Sequence, residues 1–548
     1  MTIYTSPFPT VKHGQAQSVF DFVLAKNDNL KSKMDQPALV DAFTDTQVTY
    51  RQLIDDSLSL ADGLVRTAGL RPGDCVALFS PNSILYPVIL FATQAAGLIV
   101  STANSSYTVD ELLHQLQVSK AKVLLAAGDA LDVAKAAAKQ ASISNANIFV
   151  LPDAQGKIDT AGGLKPWTEL KGSKSFKPVQ LSQKDLKEKP SFLPFSSGTT
   201  GKGKGVALSA FNVTSCVQQV RQTKGLFDRA ETVMGVLPMY HIFGLIVLLM
   251  NTLSNGGSVI LLPKFDLVKF CEATQKYKGT VALLVPPIAL GLAKHPIVDK
   301  YDLKSLKFLL SGAAPLSADL QQALEKRLQG PAVYQGWGMS ETTSVGMLAE
   351  PNKYKPGTVG KLLSSTEARL VDENGNDAQE GQPGELWVRG NNIMLGYYGN
   401  EKATKETIHK DGWLMTGDVC IRDKEGDYTI VDRTKELIKY KGFQVPPAEL
   451  EGVLVNCPLV SDAAVIGVYS EEQATELPLA FIVPSPEHAN DKDLAKKVQD
   501  YVQSKVAPHK RLRGGVRIVD IIPKSPSGKI LRKDLRTKIA QESGKSKL

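Results

Sequence analysis

The 548-residue chain is poor in cysteine, and its five cysteines lie far apart. None of them forms a C-x-x-C pair: they are Cys75, Cys216, Cys271, Cys420 and Cys457. This spacing excludes a disulfide framework and a zinc site built on paired cysteines, and it favours a reducing compartment.

Long apolar runs are also missing. The longest, IFGLIVLLM at residues 242–250, is too short to span a bilayer, so it predicts a buried core segment and no transmembrane segment. The start, MTIYTSPFPT, lacks the basic and apolar parts of a secretory signal. The chain shows no internal repeat and no low-complexity segment. With 43% hydrophobic and 22% charged residues it has the composition of a globular protein, long enough for two or more domains.

The net charge of +8 comes from one part of the chain. Residues 508–538 contain ten Lys and Arg against two Asp, a local excess equal to the net charge of the whole chain. Such a cluster is typical of a site for a polyanionic small ligand or of a solvated basic face, and both interpretations stay open at this point.

The last three residues, Ser546-Lys547-Leu548, match the C-terminal S-K-L address that a peroxisomal import receptor binds. We therefore expect a peroxisomal location, with this receptor as a partner.

Buried β-branched runs alternate with amphipathic stretches over most of the chain, which predicts an α/β fold with layered sheets. The predicted parallel strands are at residues 76–80, 123–127, 148–151, 258–262 and 281–285, and the predicted helices are at 53–64, 109–116 and 320–328. From about residue 365, shorter strands and turns such as ENGN and KEGD predict a β-rich part.

A smaller α+β unit is expected after Asp432, with a helix opened by Pro446-Pro447. No Pro, Gly or Ser-rich linker precedes it, so the joint near residues 432–435 is predicted to be a tight hinge. We expect a large amino-terminal domain, 1–432, and a small mobile carboxy-terminal domain, 433–548.

The stretch SSGTTGKGKG, residues 196–205, is close to a P-loop but has Gly205 where that motif needs a hydroxyl for Mg²⁺. Its glycines can form a backbone nest for anions, and Lys202 and Lys204 add positive charge. From these residues alone it is either a phosphate loop of another kind or a mobile surface loop.

Three further stretches carry candidate chemical groups. Glu341 in YQGWGMSETTS (334–344) can hold a metal beside phosphate oxygens, and Asp418 in GWLMTGDV (412–419) can accept two ribose hydroxyls. Lys529 in PKSPSGKILRKDL (523–535) can reach a reacting carboxylate or phosphate. Taken singly, each is equally typical of an ordinary turn or solvated loop.

The order of these stretches, together with LPMYHIFG, SGAAP and DRTKELIK, resembles the adenylate-forming superfamily. That superfamily includes acyl-CoA synthetases, 4-coumarate-type ligases, beetle luciferases and peptide-synthetase adenylation domains, and the resemblance extends from about Ser18 to Lys538. It implies that ATP and a carboxylic acid form an acyl-adenylate, and that coenzyme A then displaces AMP. Mg²⁺ is the implied metal and Glu341 its implied ligand.

The resemblance also implies a role for each matching residue. It implies that Lys529, His241 and Lys204 are catalytic and that Lys435 is the hinge. The residues implied to contact ATP or AMP are Ser196, Ser197, Gly198, Thr199, Thr200, Lys204, Gln335, Gly336, Trp337, Ser340, Asp418 and Arg433. Those implied to line the acyl site are His241, Phe243, Val247, Ala313 and Met339. Those implied to meet coenzyme A are Lys264, Lys439, Lys441, Gly442 and Gln444.

Two positions depart from the family pattern: Gly203 stands where proline is usual, and Ser340 where threonine is usual. The glycine is expected to loosen the phosphate loop, whereas the serine keeps the hydroxyl.

Because the proposed acyl-site residues are apolar, a hydrophobic acid is expected, either aryl or of medium to long chain. The resemblance also offers the phosphates of ATP and coenzyme A as partners of the basic cluster, so no nucleic acid is expected. The alternatives are a luciferase-like acyl-adenylate oxygenase and a non-catalytic nucleotide-binding homologue.

Overall fold

The computed structural model describes residues 2–153, 156–196, 202–441, 443–471, 473, 475–525 and 528–542. Within them the strands are β1 Tyr4–Thr5, β2 Pro37–Asp41, β3 Gln47–Thr49, β4 Cys75–Phe79, β5 Ile99–Ala103, β6 Ala121–Ala127, β7 Ile148–Leu151, β8 Lys165–Pro166, β9 Pro190–Phe192, β10 Phe195–Ser196, β11 Lys204–Ser209, β12 Thr232–Gly235, β13 Ser258–Leu261, β14 Val281–Leu284, β15 Phe308–Ser311, β16 Ala332–Trp337, β17 Met347–Leu348, β18 Lys361–Leu362, β19 Thr366–Val371, β20 Gly384–Gly390, β21 Gly396–Tyr397, β22 Leu414–Arg422, β23 Tyr428–Arg433, β24 Ile438–Tyr440, β25 Phe443–Val445, β26 Val460–Ser470, β27 Thr475–Pro484 and β28 Gly515–Ile518.

The α-helices of the same residues are α1 Tyr50–Arg66, α2 Leu85–Ala95, α3 Val109–Ser119, α4 Leu131–Gln140, α5 Gln183–Glu188, α6 Ala210–Arg221, α7 Thr252–Ser254, α8 Leu267–Tyr277, α9 Pro286–Lys294, α10 Ala318–Leu328, α11 Glu401–Thr407, α12 Pro447–Val455, α13 Leu494–Lys505 and α14 Arg532–Glu542. The apolar run at 242–250 lies in a buried π-helix, Gly244–Asn251. No helix among these residues is long and apolar enough to cross a membrane.

Two nine-stranded sheets form the body of the molecule. Their orders are β10-β11-β9-β5-β4-β6-β7-β8, with β21 beside β11, and β18-β17-β16-β15-β14-β12-β13-β2-β3. The central strands pair in parallel and are buried on both faces, as the continuous apolar runs predicted. The α/β prediction and the five predicted strands are confirmed.

Four strands after residue 365 form, together with the amino-terminal β1, a five-stranded antiparallel sheet of order β1-β19-β20-β22-β23. The KEGD sequence forms the turn between β22 and β23, with Gly426 at φ 88°. The antiparallel register places Asp418 directly opposite Arg433, so one hairpin positions two of the predicted nucleotide residues.

The carboxy-terminal part has its own sheet, β26-β27-β28, and the ribbon β24-β25, packed with α12, α13 and α14. Helix α12 starts at Pro447, as the Pro-Pro pair predicted. Two buried clusters extend no further than Tyr428, and two others begin at Ile438 and at Ala464. The predicted boundary at 432/433 falls between them and stays a prediction.

Direct contacts join the two parts. The Asn456 amide donates to the Asp319 carboxylate at 2.7 Å, and the Lys294 ammonium donates to the Val455 carbonyl at 3.1 Å. Gly528, at φ +78°, packs so closely on Val285 that a Cβ there would lie 3.0 Å from that side chain. Only glycine suits this turn, and it brings the next residue, Lys529, to the large part.

Candidate active site

A cavity of about 600 Å³ lies where the two parts meet. Its wall combines residues from all seven of the stretches singled out in the sequence. The predicted site residues that line it are Ser196, Lys204, His241, Phe243, Ala313, Gly336, Trp337, Met339, Ser340, Glu341, Arg433, Lys435 and Lys529. Side chains up to 333 positions apart in the chain, Ser196 and Lys529, thus share one chamber.

Asp418 is held in place by two neighbouring side chains. Its carboxylate accepts the indole N–H of Trp337 at 2.8 Å and pairs with the guanidinium of Arg433 at 3.0 Å. The carboxylate is buried, 5% exposed, and both partners lie in the cavity wall. These two contacts orient the carboxylate, as a receptor for a pair of hydroxyls requires.

Glu341 and Lys204 are linked through Tyr397. The Tyr397 hydroxyl donates to Glu341 Oε1 at 2.8 Å, while the Lys204 ammonium lies 4.5 Å from the centre of the Tyr397 ring. Burial beside the Glu341 charge raises the pKa of Tyr397, so its hydroxyl stays a donor. One tyrosine therefore fixes an acidic and a basic group of the cavity.

The turn that carries Ser340 and Glu341 has a strained backbone, and hydrogen bonds from a neighbouring side chain hold it. Thr343 and Ser344 have φ of 52° and 91°, a region that costs non-glycine residues about 1–3 kcal/mol each. The buried Asn392 amide donates to the Thr342 and Val345 carbonyls at 3.1 and 3.0 Å. These bonds hold the turn in its unusual conformation.

Lys529 reaches the cavity from the small part. Burial and the nearby Arg433 charge lower the pKa of its ammonium to about 8, opposed by Asp418. It is a cation at neutral pH, poorly compensated and directed at a site with room for an anion.

His241 lies in the same wall and is neutral. Burial and the Lys529 charge lower the pKa of its imidazole to about 4. The Phe243 backbone N–H donates to Nδ1 at 3.3 Å, which assigns the ring proton to Nε2. A neutral Nε2–H donor suits a carboxylate that must remain nucleophilic.

The comparisons with known proteins agree with this geometry. The model of the AMP-binding enzyme family matches residues 27–398, and the model of the AMP-binding enzyme C-terminal domain matches 449–529. The chain belongs to the AMP-binding enzyme family. The predicted membership of the adenylate-forming superfamily is thereby confirmed.

Relatives of the same family match over almost their whole length. A probable 4-coumarate–CoA ligase 1 of Dictyostelium discoideum is 37% identical, over 98% of this chain and 97% of the relative. The peroxisomal OPC-8:0-CoA ligase 1 of Arabidopsis thaliana is 37% identical, over 93% and 91%. The ATP-bound structure of MatB from Rhodopseudomonas palustris superposes with a TM-score of 0.83 at 26% identity, over 97% and 99%, and its apo form with 0.74 at 27% identity.

Several residues expected at the site of this AMP-binding enzyme are not in the cavity wall. Gln335 is buried, and its amide donates to the Leu316 carbonyl and accepts the Leu316 N–H, both at 3.0 Å. It thus fixes the SGAAPL loop from behind. Val247 is 1% exposed and packs inside the core.

The two ends of the phosphate stretch pair as antiparallel strands, with Ser196 on β10 opposite Lys204 on β11. Its predicted residues Ser197, Gly198, Thr199 and Thr200 lie outside the described residues. The Gly203 carbonyl lies 2.7 Å from Nε2 of His114, which anchors the end of the stretch.

The residues expected to meet coenzyme A are exposed and away from the cavity wall. They are Lys264, Lys439, Lys441 and Gln444, and Gly442 lies outside the described residues. The Gln444 amide instead contacts the Glu373 carboxylate of the large part.

The basic cluster at 508–538 is only partly available to a ligand. Five of its cations form ion pairs with carboxylates: Lys510, Arg517, Lys524, Arg532 and Arg536. Lys529 enters the cavity, so much of the local charge excess is structural.

Sequence reasoning missed Tyr397 and Asn392. Both lie in NNIMLGYYGN, an unremarkable loop whose importance follows only from its packing against the turn at 339–345. The feature of the sequence that could have indicated them is the aromatic pair Tyr397-Tyr398 between two glycines in a polar stretch.

Proposed function

We propose that this protein activates a hydrophobic carboxylic acid with ATP and transfers the acyl group to coenzyme A. In the first step the acid's carboxylate oxygen bonds to the α-phosphorus of ATP, and the bond to pyrophosphate breaks. In the second, the coenzyme A thiol, losing its proton, bonds to the acyl carbon and AMP leaves. The observation that carries this proposal is the meeting of Lys529, His241, Lys204 and Glu341 in one cavity.

The nucleotide end of the cavity supports the first step. Asp418 is proposed to accept the two ribose hydroxyls, with Trp337 beside the adenine and Arg433 beside the ribose. Ser340 and Lys204 are proposed to contact the phosphates, together with the phosphate loop. These fixed donors stabilise negative charge that grows on the phosphoryl oxygens.

Mg²⁺ is proposed to bind at Glu341. One oxygen of this carboxylate is held by Tyr397, and a single carboxylate beside substrate phosphates is the donor set that Mg²⁺ commonly uses. Among the described residues no group of three or more His, Cys, Asp or Glu side chains could hold a metal by itself. Mg²⁺ supplies charge neutralisation at the phosphates.

Lys529 and His241 are proposed to handle the acid. The Lys529 ammonium can contact both the incoming carboxylate and the α-phosphate, and the His241 Nε2–H can hold the second carboxylate oxygen. Because His241 is neutral, it orients the carboxylate without reducing its nucleophilicity as a cation would.

The second step is proposed to need rotation of residues 433–548 about Lys435. The better superposition on ATP-bound than on apo MatB supports an arrangement suited to the first step. Rotation would break the Asn456–Asp319 contact and withdraw Lys529, while Lys439, Lys441, Gly442 and Gln444 approach the cavity.

The face proposed to meet coenzyme A carries uncompensated cations and aromatic rings. Phe443 is 53% exposed and stacks on His509 with ring centres 4.6 Å apart, and the Arg513 guanidinium lies 4.6 Å from the centre of the Tyr440 ring. Within the described residues Arg513 makes no ion pair. This chemistry suits the phosphates and adenine of coenzyme A.

The acid is proposed to be aryl or of medium to long chain. Phe243, Ala313, Met339 and Val345 line the cavity, and the 4-coumarate–CoA ligase relatives support an aryl member of this class. Import into peroxisomes through Ser546-Lys547-Leu548 is proposed as well, supported by the peroxisomal relative. A fluorescent fusion with and without the last three residues tests the location.

ATP–pyrophosphate exchange over a panel of aryl and fatty acids, with mass detection of coenzyme A thioesters, tests the function. We expect acid-dependent exchange and a thioester of the same acid. A non-catalytic homologue would bind ATP and give no exchange with any acid, and a luciferase-like enzyme would emit light with luciferin.

A further inference from the structure

The turn that carries Asp418 is a bulge in strand β22. The register of β20 with β22 shifts after Glu385, so that one residue, Leu386, lies opposite the three residues 416–418. Gly417, in the middle of the bulge, has φ of 71°, a conformation that glycine adopts without strain. Bulges beside active sites commonly redirect a side chain, and this one sets the direction of Asp418.

Both backbone polar groups of Gly417 are held by hydrogen bonds. Its N–H is accepted by Oε1 of Glu385 at 3.1 Å, and its carbonyl accepts the N–H of Thr434 at 2.9 Å. Glu385 is half-buried and lines the same cavity as Gly417. Because a carboxylate accepts a backbone N–H more strongly than a neutral oxygen does, Glu385 is well suited to hold this bulge.

Asp418 is therefore fixed at two points. Trp337 and Arg433 contact the carboxylate at the end of its side chain. Glu385 instead holds the backbone immediately before it. A receptor for two ribose hydroxyls needs both, since a displacement of about 1 Å at a binding group can weaken its contacts severely.

We propose that Glu385 is a positioning residue for the nucleotide: by holding the Gly417 N–H, it fixes the bulge that aims Asp418 at the ribose hydroxyls. This inference rests on the acid–CoA ligase function proposed above, in which Asp418 accepts those hydroxyls. Glu385 acts through Asp418, so it controls how strongly the protein distinguishes a ribonucleotide from a deoxyribonucleotide.

Binding of AMP, 2′-deoxy-AMP and 3′-deoxy-AMP, measured by isothermal titration calorimetry, tests this role without an acid substrate. In the wild type we expect AMP to bind about 10-fold more tightly than either deoxy form, because each deoxy form lacks one hydrogen bond to a charged acceptor. Glu385→Met keeps the length of the side chain and removes the acceptor. In this variant AMP should bind about 3–10-fold more weakly and the deoxy forms should change less, so the preference falls towards one.

Two further variants separate positioning from a general structural effect. Glu385→Gln keeps an oxygen that can accept the Gly417 N–H, so it should retain most of the preference for AMP. Glu367→Ala should leave the preference unchanged. It is the matched control because Glu367 is a carboxylate of the same sheet, on β19, that pairs with Arg389 outside the cavity wall. If Glu385→Met does not fold, Glu385→Leu removes the acceptor with a shorter side chain.

Equal affinities for AMP and its deoxy forms in the wild type would overturn the positioning role. A wild-type preference in folded Glu385→Met or Glu385→Leu would overturn it too, as would a complete loss in Glu385→Gln, whose amide oxygen can still hold Gly417. The ligase function fails on a different result, the absence of exchange and thioester with every acid.

Discussion

The two ends of the cavity are built differently. At the nucleotide end, polar groups are already paired with each other: Asp418 with Trp337 and Arg433, and Glu341 with Tyr397. At the acyl end the wall is largely apolar, with Phe243, Ala313, Met339 and Val345 beside the neutral His241. The first end is thus a fixed set of paired polar groups, whereas the second is mainly an apolar surface.

The largest expected effect comes from removing the ammonium group of Lys529, which is proposed to contact both the acid and the α-phosphate. Lys529→Ala should lower acyl-adenylate formation by about 10²–10³-fold, because it removes a preorganised charge from the transition state. Thioester formation from supplied acyl-AMP should change little, as measured in a coupled thioester assay. Lys533→Ala, an exposed lysine of α14, is the control. Equal loss of both half-reactions would contradict separate arrangements for the two steps.

Removal of a single oxygen atom, the Tyr397 hydroxyl, is expected to weaken the nucleotide end of the cavity. Tyr397→Phe keeps the ring under Lys204 but removes the hydrogen bond to Glu341. We expect an adenylation rate about 10-fold lower and a higher Mg²⁺ requirement, since partners of metal ligands commonly contribute this much. Mg²⁺ titration of pyrophosphate exchange measures both, with Tyr398→Phe as the control. An unchanged Mg²⁺ requirement would show that Tyr397 does not position Glu341.

Whether a site residue can be predicted from the sequence depends on whether its role follows from its neighbours in the chain or from contacts with distant segments. Glu341, Asp418 and Lys529 lie in short contiguous stretches whose glycines and hydroxyls indicate a site. Glu341 and Lys529 line the cavity, and Asp418 contacts Trp337 of its wall. The parallel strands are equally visible, because double burial requires continuous apolar runs.

The acyl end is less readable because it depends on packing between distant segments. Phe243 lines the cavity but Val247 does not, although four residues apart they would share a face of an α-helix. The segment after Phe243 is a π-helix, Gly244–Asn251, buried along its whole length, so Val247 packs in the core instead of lining the cavity. The position of Gln335 could not be predicted either, because its contact with the SGAAPL loop joins two segments that are separate in the sequence.

The pH dependence sharpens the role of Lys529. Because burial and Arg433 lower the pKa of its ammonium to about 8, it loses its proton well below the range of an ordinary lysine. The kcat/KM of adenylation should therefore fall as pH rises through about 8. In Lys529→Arg, whose side chain stays charged, that alkaline limb should be absent, even if the rate is lower. The same limb in both proteins would assign it to another group.

The smallest expected effect concerns Gly203, the position at which the family resemblance leads us to expect proline. A Cβ there would lie 3.2 Å from the Ser196 carbonyl, a close but not prohibitive contact. Gly203→Pro should raise Tm by about 1–2 °C through the unfolded chain and change adenylation less than about 3-fold. Thermal unfolding and the exchange assay measure these, with Gly14→Pro as an open-space comparison. A large loss of activity would show that the freedom of Gly203 is required.

The most direct test of the proposed two-step reaction is a mass-spectrometric experiment in two stages. It uses one acid that supports ATP–pyrophosphate exchange. Without coenzyme A, the protein, ATP and Mg²⁺ should yield the acyl-adenylate and pyrophosphate. Addition of coenzyme A should then convert that adenylate to the thioester with release of AMP. Thioester formation with ADP and phosphate as products, or with no acyl-adenylate at any stage, would contradict it.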